Sequence, residues 1–403
     1  MVTWPCILAH PSAKILVDCS GLPEVTCSIE WFPAAVGEVA HELFHVTGLR
    51  CRPLRFLATG NSGVWVVEVL DSAEPNQNGR WRWISPKRDD TLSNPEHRYA
   101  VAAWLSAQPI APWQHPGWGQ KVTAWVSSKV RSVGSPQEIR GGWPCSCVLR
   151  FSTKTGSVYF KADSADGPGE PCVLQKLSPA LSSYLPEVIA LDCDQRWLLL
   201  QEFEPIRPAH VDPKLCADAL RRTSQVLRNS GPAADWRELG CQTWDATALR
   251  KVANTIPQLA TRQGPLDHAL LELETSRIAP TLLHCDLHPW NLGRRAGKTI
   301  LFDWGDVAVG HPFFALVRLF DHVVPAYCDA QTLEEAIVAS WSEGYDEVTV
   351  RAELSLIQRL HWLFQTARWV GAAQHAPAKS PWRAAVDRAC AGTVAKLIKN
   401  MAP

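Results

Sequence analysis

The apolar and polar positions of the chain change period several times along its length. Residues 36–48 place Val36, Val39, Ala40, Leu43 and Val46 at helical spacing, and Gly48 supplies a C-terminal stop. Residues 54–70, LRFLATGNSGVWVVEVL, read as two strands joined by a turn at Gly60-Asn61-Ser62-Gly63. Residues 72–98 are polar and turn-rich around Trp81, Trp83 and Ile84, and residues 98–106 close the region with a helix. Residues 1–110 are therefore expected to form an α/β unit.

Further on, Val122, Trp125, Val126 and Val130 mark one face of a linking helix over residues 113–131. Strands follow at 147–151 and 158–161 across a hairpin turn, Lys154-Thr155-Gly156. A helix from Glu170 to residue 177 and a strand at 197–201 complete a small lobe over residues 111–204. From Asp212 onward the pattern is mostly helical. Residues 350–370 carry Leu354, Ile357, Leu360 or His361, and Phe364 at core spacing, and a last helix spans 381–400 with basic residues outward. Only two apolar runs, 280–283 and 299–302, break this helical lobe of residues 205–403. The fold class expected is α+β, with a β-rich lobe and a helical lobe behind an additional N-terminal unit.

At 403 residues the chain exceeds one ordinary core, and 46% hydrophobic with 20% charged residues is a globular balance. Lys plus Arg equals Asp plus Glu at 40 each, which argues against a dedicated nucleic-acid binder. The 13 cysteines include no C-x-x-C pair; Cys145 and Cys147 come closest. They read either as a metal or redox set or as buried thiols in a reducing compartment. No signal-peptide pattern opens the chain and no apolar run is long enough for a bilayer, so a soluble cytoplasmic protein is expected, without a membrane partner.

The candidate chemistry sits at residues 284–305, HCDLHPWNLGRRAGKTILFDWG. Asp286 and Asn291 frame a loop after one apolar run, and Asp303 ends the other. The spacing H-x-D-x4-N followed by D-x-G fits a phosphotransferase loop and metal turn. Asp286 is the candidate base, while Asn291 and Asp303 offer oxygen ligands to a hard cation such as Mg2+. Lys161 closes the strand VYFKA, within reach of nucleotide phosphates, and Glu170 opens the next helix and can pair with it. Each residue has a plainer reading. Lys161 can be a solvated strand end, Glu170 a helix-start residue beside Pro171, and the other three turn formers. Their joint order behind two apolar runs favours chemistry.

HCDLHPWNLG followed by ILFDWGD resembles the aminoglycoside phosphotransferase and choline kinase group, within the protein-kinase-like fold. The resemblance covers roughly residues 120–403 and rests on His284, Asp286, His288, Asn291, Asp303 and Asp306. It implies ATP or another nucleoside triphosphate with Mg2+, and direct in-line transfer to a hydroxyl. It implies that His284 holds the loop through backbone hydrogen bonds, that His288 braces it, and that Asp306 supports the same region. Gln201, Glu202 and Phe203 would meet the adenine at the hinge. Cys285 replaces the usual glycine, which matters only where positive φ is needed.

There are departures. No G-x-G-x-x-G occurs, so the loop at residues 140–146 is the available phosphate cover, with Ser146 the best candidate in it. Gly310-His311-Pro312 stands where the family often has G-D-P. HELFHVTGL at residues 41–49 resembles the end of a Nudix box, with Glu42, Leu43, Gly48 and Leu49 matching. His45 and Val46 replace its metal-binding glutamates, so hydrolysis is not expected there.

Two functions follow: a kinase for a small-molecule hydroxyl, or a non-catalytic nucleotide- or metabolite-binding protein of the same fold. A protein kinase is disfavoured because no D-F-G to A-P-E segment follows Gly305. For a polycationic acceptor, Glu334, Glu335, Glu343, Asp346, Glu347 and Glu353 offer an acidic surface, or merely a solvated face. Trp290 and Trp304 either line an acceptor pocket or serve packing.

Overall fold

The computed structural model describes residues 2–10, 14–27, 36–59, 62–70, 80–87, 92–107, 111–131, 136–140, 145–163, 167–375 and 381–400. Two compact units are present. The first comprises residues 1–164, 197–200 and 377–382; the second comprises 165–196, 201–376 and 383–403. Both mix helices and strands.

The first unit opens with β1 (Val2–Ala9), β2 (Ile15–Val17), β3 (Glu24–Cys27), α1 (Val36–Thr47), β4 (Cys51–Thr59), β5 (Ser62–Val69), β6 (Arg82–Ile84) and α2 (Pro95–Ser106). The sheet order is β4-β5-β1-β2-β6, with β3 also on β1. β1 runs parallel to β5, Cys6 opposite Trp65, and antiparallel to β2 and β3. Side chains alternate across the sheet, as strand geometry requires. Cys6, Leu8, Leu16, Trp65 and Val67 pack with Val39 and Leu43 of α1. Ile7, Ile15, Val17 and Val64 pack with Ala100 and Val101 of α2. The central strands are thus buried on both faces, which removes the apolar–polar alternation that marks a strand in sequence. That is why β1 and β2 carry no legible signal; β3, exposed at Glu24 and Thr26 and buried at Val25 and Cys27, does alternate but is only 4 residues long. The hairpin expected at 54–70 is present, but begins at Cys51; Gly60 and Asn61 of its turn lie outside the described residues.

The same unit continues with α3 (Trp118–Lys129), β7 (Gln137–Arg140), β8 (Ser146–Thr153) and β9 (Gly156–Asp163). The linking helix starts five residues later than expected. Pro116-Gly117 interrupts it, and Gly117 takes φ +83, leaving a separate 3-10 turn at Pro112–Gln114. Trp118 and Trp125 of α3 pack edge-on against Phe160 and Trp197. Residues 141–144 of the expected phosphate cover lie outside the described residues.

The second unit contains α4 (Glu170–Leu181), β10 (Val188–Asp192), the end of β11 (Trp197–Gln201), β12 (Glu204–Pro205), α5 (Pro213–Asn229), α6 (Ala233–Glu238), β13 (Gln242–Trp244), α7 (Ala246–Ala253), α8 (Gln263–Glu274), β14 (Thr281–His284), β15 (Leu292–Arg295), β16 (Lys298–Leu301), β17 (Val307–Gly310), α9 (Phe313–Val317), α10 (Phe320–Val323), α11 (Ala330–Trp341), α12 (Glu347–His375) and α13 (Pro381–Asn400). Two three-stranded sheets, β12-β15-β16 and β13-β17-β14, stand among the helices. The two apolar runs seen in sequence are β14 and β16. β15 and β16 form a hairpin with Leu292 opposite Leu301, and β17 lies antiparallel to β14 with Val307 opposite His284. No described helix is long and apolar enough to cross a membrane.

A buried charge cluster borders the aromatic packing of the first unit, with the Arg52 guanidinium 5.4 Å from the centroid of the Trp118 ring. Arg52 of β4 donates to Glu68 of β5 at 3.2 and 3.3 Å and to the Trp113 carbonyl at 2.9 Å. The Gly117 amide also donates to Glu68. Glu138 of β7 has both carboxylate oxygens shielded from water and without a hydrogen bond among the described residues, although the residue as a whole is only half-buried. Burial pushes its carboxyl up from 4.5 to about 7; the Arg52 charge opposes this and Glu68 adds to it. The folded state then keeps a proton that the unfolded chain releases near pH 4.5. This contribution is fully present below pH 4.5 and is lost as pH rises through about 7, a change of ~3 kcal/mol. Glu138→Gln, neutral at every pH, is expected to raise the denaturant midpoint over wild type at pH 8 and to leave it nearly unchanged at pH 4.5. Paired urea titrations at the two pH values check this.

Candidate active site

Asp286 lies in the loop leaving β14, where the chain passes between the β14–β17 pair and the β15–β16 hairpin. The loop is held from beneath by His284. Its imidazole is fully buried; Nδ1 accepts from the Asp286 amide at 3.3 Å, and Nε2 donates to the Phe302 carbonyl at 3.0 Å. Burial lowers the His284 pKa, which suits a neutral ring that accepts on one nitrogen and donates on the other. The ring also lies 4.6 Å from that of Trp304. Cys285 donates its amide to the Asp306 carbonyl at 3.0 Å and does not take positive φ, so no glycine is needed there.

Asn291 closes the loop. Its amide nitrogen donates to the Asp286 carbonyl at 2.9 Å, while its backbone carbonyl accepts from Phe302 at 3.1 Å. This ties the loop to the strand that ends in Asp303 and leaves the Asn291 side-chain oxygen as the atom to meet a cation. Asp303 takes φ +65, a left-handed turn that Asp tolerates better than most residues. Glu170, at the start of α4 and 1% exposed, accepts from the Trp304 amide at 2.9 Å. Phe203 packs on Phe302 with ring centroids 4.8 Å apart. Gly293 makes room for it, since a Cβ there would stand 2.6 Å from the Phe203 ring. The Gln201 amide bonds the Glu187 carbonyl at 2.9 Å.

Both oxygens of the Asp286 carboxylate are engaged, with the side chain about one-third exposed. His288 Nε2 lies 3.2 Å from Oδ2, and Arg318 Nη2 donates to Oδ1 at 3.2 Å. Burial by itself would raise this carboxyl. The His288 hydrogen bond and the charges of Arg368, His288 and Arg318 outweigh it and hold Asp286 far below the ordinary carboxylate range. Arg368 of α12 is ion-paired with Asp306. Trp290 is 48% exposed beside His288 and His322, whereas Trp304 is fully buried and serves packing.

The structure thus groups Asp286, His284, His288, Asn291, Asp303, Asp306 and Glu170 within the second unit, which also holds Gln201 and Phe203. Lys161, on β9 opposite Val148, and Ser146, a buried residue of β8 opposite Asp163, belong to the first unit. Among the described residues no cluster of three or more His, Cys, Asp or Glu side chains is suited to a metal. One amide and one carboxylate oxygen nevertheless fit Mg2+, which uses few protein ligands beside water and phosphate. The acidic residues of 334–353 are engaged elsewhere. Glu335 and Glu347 pair with Arg351, Glu343 with Arg228, and Glu353 is buried against His311, Ser276 and the Arg277 amide. Glu335, Glu343 and Glu347 nevertheless keep 51%, 72% and 60% of their side chains exposed.

Two site residues, Arg318 and Arg368, escape a motif reading. The signal for Arg318 is its place in the run FFALVRLF, where a lone charge among buried apolar residues requires a partner.

Residues 158–355 match the APH family, the phosphotransferase enzyme family. No curated protein matches the chain. Among solved structures, a choline/ethanolamine kinase family protein from Mesorhizobium loti is 14% identical with a TM-score of 0.48, covering 69% of this chain and 97% of its own. Choline kinase LicA from Streptococcus pneumoniae is 14% identical with a TM-score of 0.48, covering 69% and 98%. Plasmodium vivax ethanolamine kinase is 10% identical with a TM-score of 0.47, covering 66% and 84%. The loop of Asp286, the candidate metal turn of Asp303 and the segment that joins them all fall inside residues 158–355, the range that matches the phosphotransferase enzyme family.

Proposed function

We propose that the protein transfers the γ-phosphoryl group of a nucleoside triphosphate, ATP in the first instance, to a hydroxyl group of a small molecule. The observation that carries this reading is the tie of Asn291 to both the Asp286 loop and Phe302, which sets the candidate base and the two candidate metal oxygens on one small framework. The family of residues 158–355 supports it.

In this reading the acceptor hydroxyl lies against the open side of the Asp286 carboxylate. The acceptor oxygen forms the new O–P bond while the β–γ bridging O–P bond breaks, and the bond electrons leave with the nucleoside diphosphate. The hydroxyl proton passes to Asp286 and then to solvent. A carboxylate held so strongly ionised is a weak proton acceptor, so Asp286 acts first by orienting the hydroxyl and takes its proton late. Asn291 and Asp303 would hold Mg2+, which when bound neutralises phosphate charge. Lys161 and Ser146 are assigned to the phosphates, Gln201 and Phe203 to the base, and Glu170 to fixing the metal turn through Trp304.

Asp286→Ala is expected to lower kcat for ADP release by ~10²–10⁴-fold at saturating MgATP, the usual contribution of a general base. A coupled assay over a panel of hydroxylated metabolites and antibiotics checks this. Asp303→Ala is expected to weaken the Mg2+ dependence of the same rate. Losing an outer partner of a metal ligand typically costs ~10–100-fold in affinity, and losing a direct ligand should cost no less. A Mg2+ titration at fixed nucleotide reads it. Unchanged turnover in both variants would remove the site, and nucleotide binding without turnover on any acceptor would favour the non-catalytic reading.

A further inference from the structure

Arg318 occupies a place that packing alone does not explain. It follows α9, whose residues Phe313, Phe314, Ala315, Leu316 and Val317 are all buried, and it precedes the fully buried Leu319. A guanidinium in such a run is tolerated only when its charge is met. Its two ends are met by different carboxylates: Nη2 by Asp286 at 3.2 Å and Nη1 by Asp321 at 3.0 Å. Asp321 is fixed in turn by His361 of α12 at 2.8 Å. The side chains of His361, Asp321 and Arg318 are 3%, 9% and 15% exposed, so the chain of contacts runs from the helical core out to Asp286, which is 34% exposed. The Arg318 Nε–H has no acceptor among the described residues, so the fork is committed to the two carboxylates.

An aspartate has a short side chain that turns freely about its last bond unless both oxygens are claimed. His288 claims one and Arg318 the other. We propose that Arg318 is the positioning residue of the active site: braced by Asp321 and His361, it sets the plane of the Asp286 carboxylate and so the direction in which the acceptor hydroxyl is presented. This rests on the reading of Asp286 given above. Arg318 acts through Asp286 and touches neither phosphate nor acceptor in this account. The planar fork matters as much as the charge, because a lysine ammonium cannot span two carboxylates in the same way.

The test uses the full chain with MgATP and water as acceptor, reading ADP release. Arg318→Gln is expected to lower kcat by at least ~10-fold, a size reached by small misplacement of a reacting group, with KM for nucleotide within about twofold of wild type. Asp321→Asn, which loosens the brace without touching Asp286, should move kcat in the same direction. Arg318→Lys should recover only part of the loss. In an Asp286→Asn background, Arg318→Gln should cause no further loss, because the two residues act as one unit. Losses that multiply in the double variant, or an Arg318→Gln enzyme with wild-type kcat, would overturn the assignment. So would a crystal structure of Arg318→Gln in which the Asp286 carboxylate keeps its plane, whatever the turnover. If Asp286→Asn by itself costs nothing, the failure belongs to the reading of the site and not to Arg318.

Discussion

The arrangement depends on keeping one carboxylate ionised and aimed while most of its surroundings are protein. Burial opposes this, since it favours the neutral acid, and the fold answers with hydrogen bonds and positive charge. His288 and Arg318 each hold one oxygen of Asp286, and Arg368 adds charge from α12 while paired with Asp306. The same loop has its backbone fixed by His284 and Asn291. Orientation therefore comes from two directions, side chain and main chain.

These supports join elements that are distant in sequence. His284 links β14 to Phe302 at the end of β16, and Glu170 links α4 to Trp304. Arg318 and His361 bring in the segment after α9 and the long helix α12. The candidate metal turn shares this framework. Asp303 adopts its left-handed conformation between Phe302, packed on Phe203, and Trp304, packed on His284. The loop and the turn are consequently one mechanical unit, which suits chemistry that needs a base and a cation at a set separation.

Much of this was legible in the residues themselves. The two apolar runs, the acidic loop between them and the long helices stand where the residue pattern placed them, because each is local in sequence. β1 and β2 were not legible, since strands packed on both faces lose their alternation. The linking helix is shorter than its apolar spacing predicts because Pro116-Gly117 breaks the chain before Trp118. In the site, the residues within one motif were visible together. Arg318 and Arg368 were not, because their partners Asp286 and Asp306 lie 32 and 62 residues away and no local pattern connects them. The acidic stretch at 334–353 shows the converse: charges that cluster in sequence are shared among Arg351, Arg228 and His311 in space.

The central claim is that the chain moves a γ-phosphoryl group by way of Asp286. Phosphorus NMR of the products formed from MgATP tests it most directly. The account predicts ADP together with a phosphate monoester, or inorganic phosphate when water is the acceptor, formed ~10²–10⁴-fold more slowly by Asp286→Ala. AMP with pyrophosphate, or the same products at an undiminished rate from the Asp286→Ala variant, would contradict it.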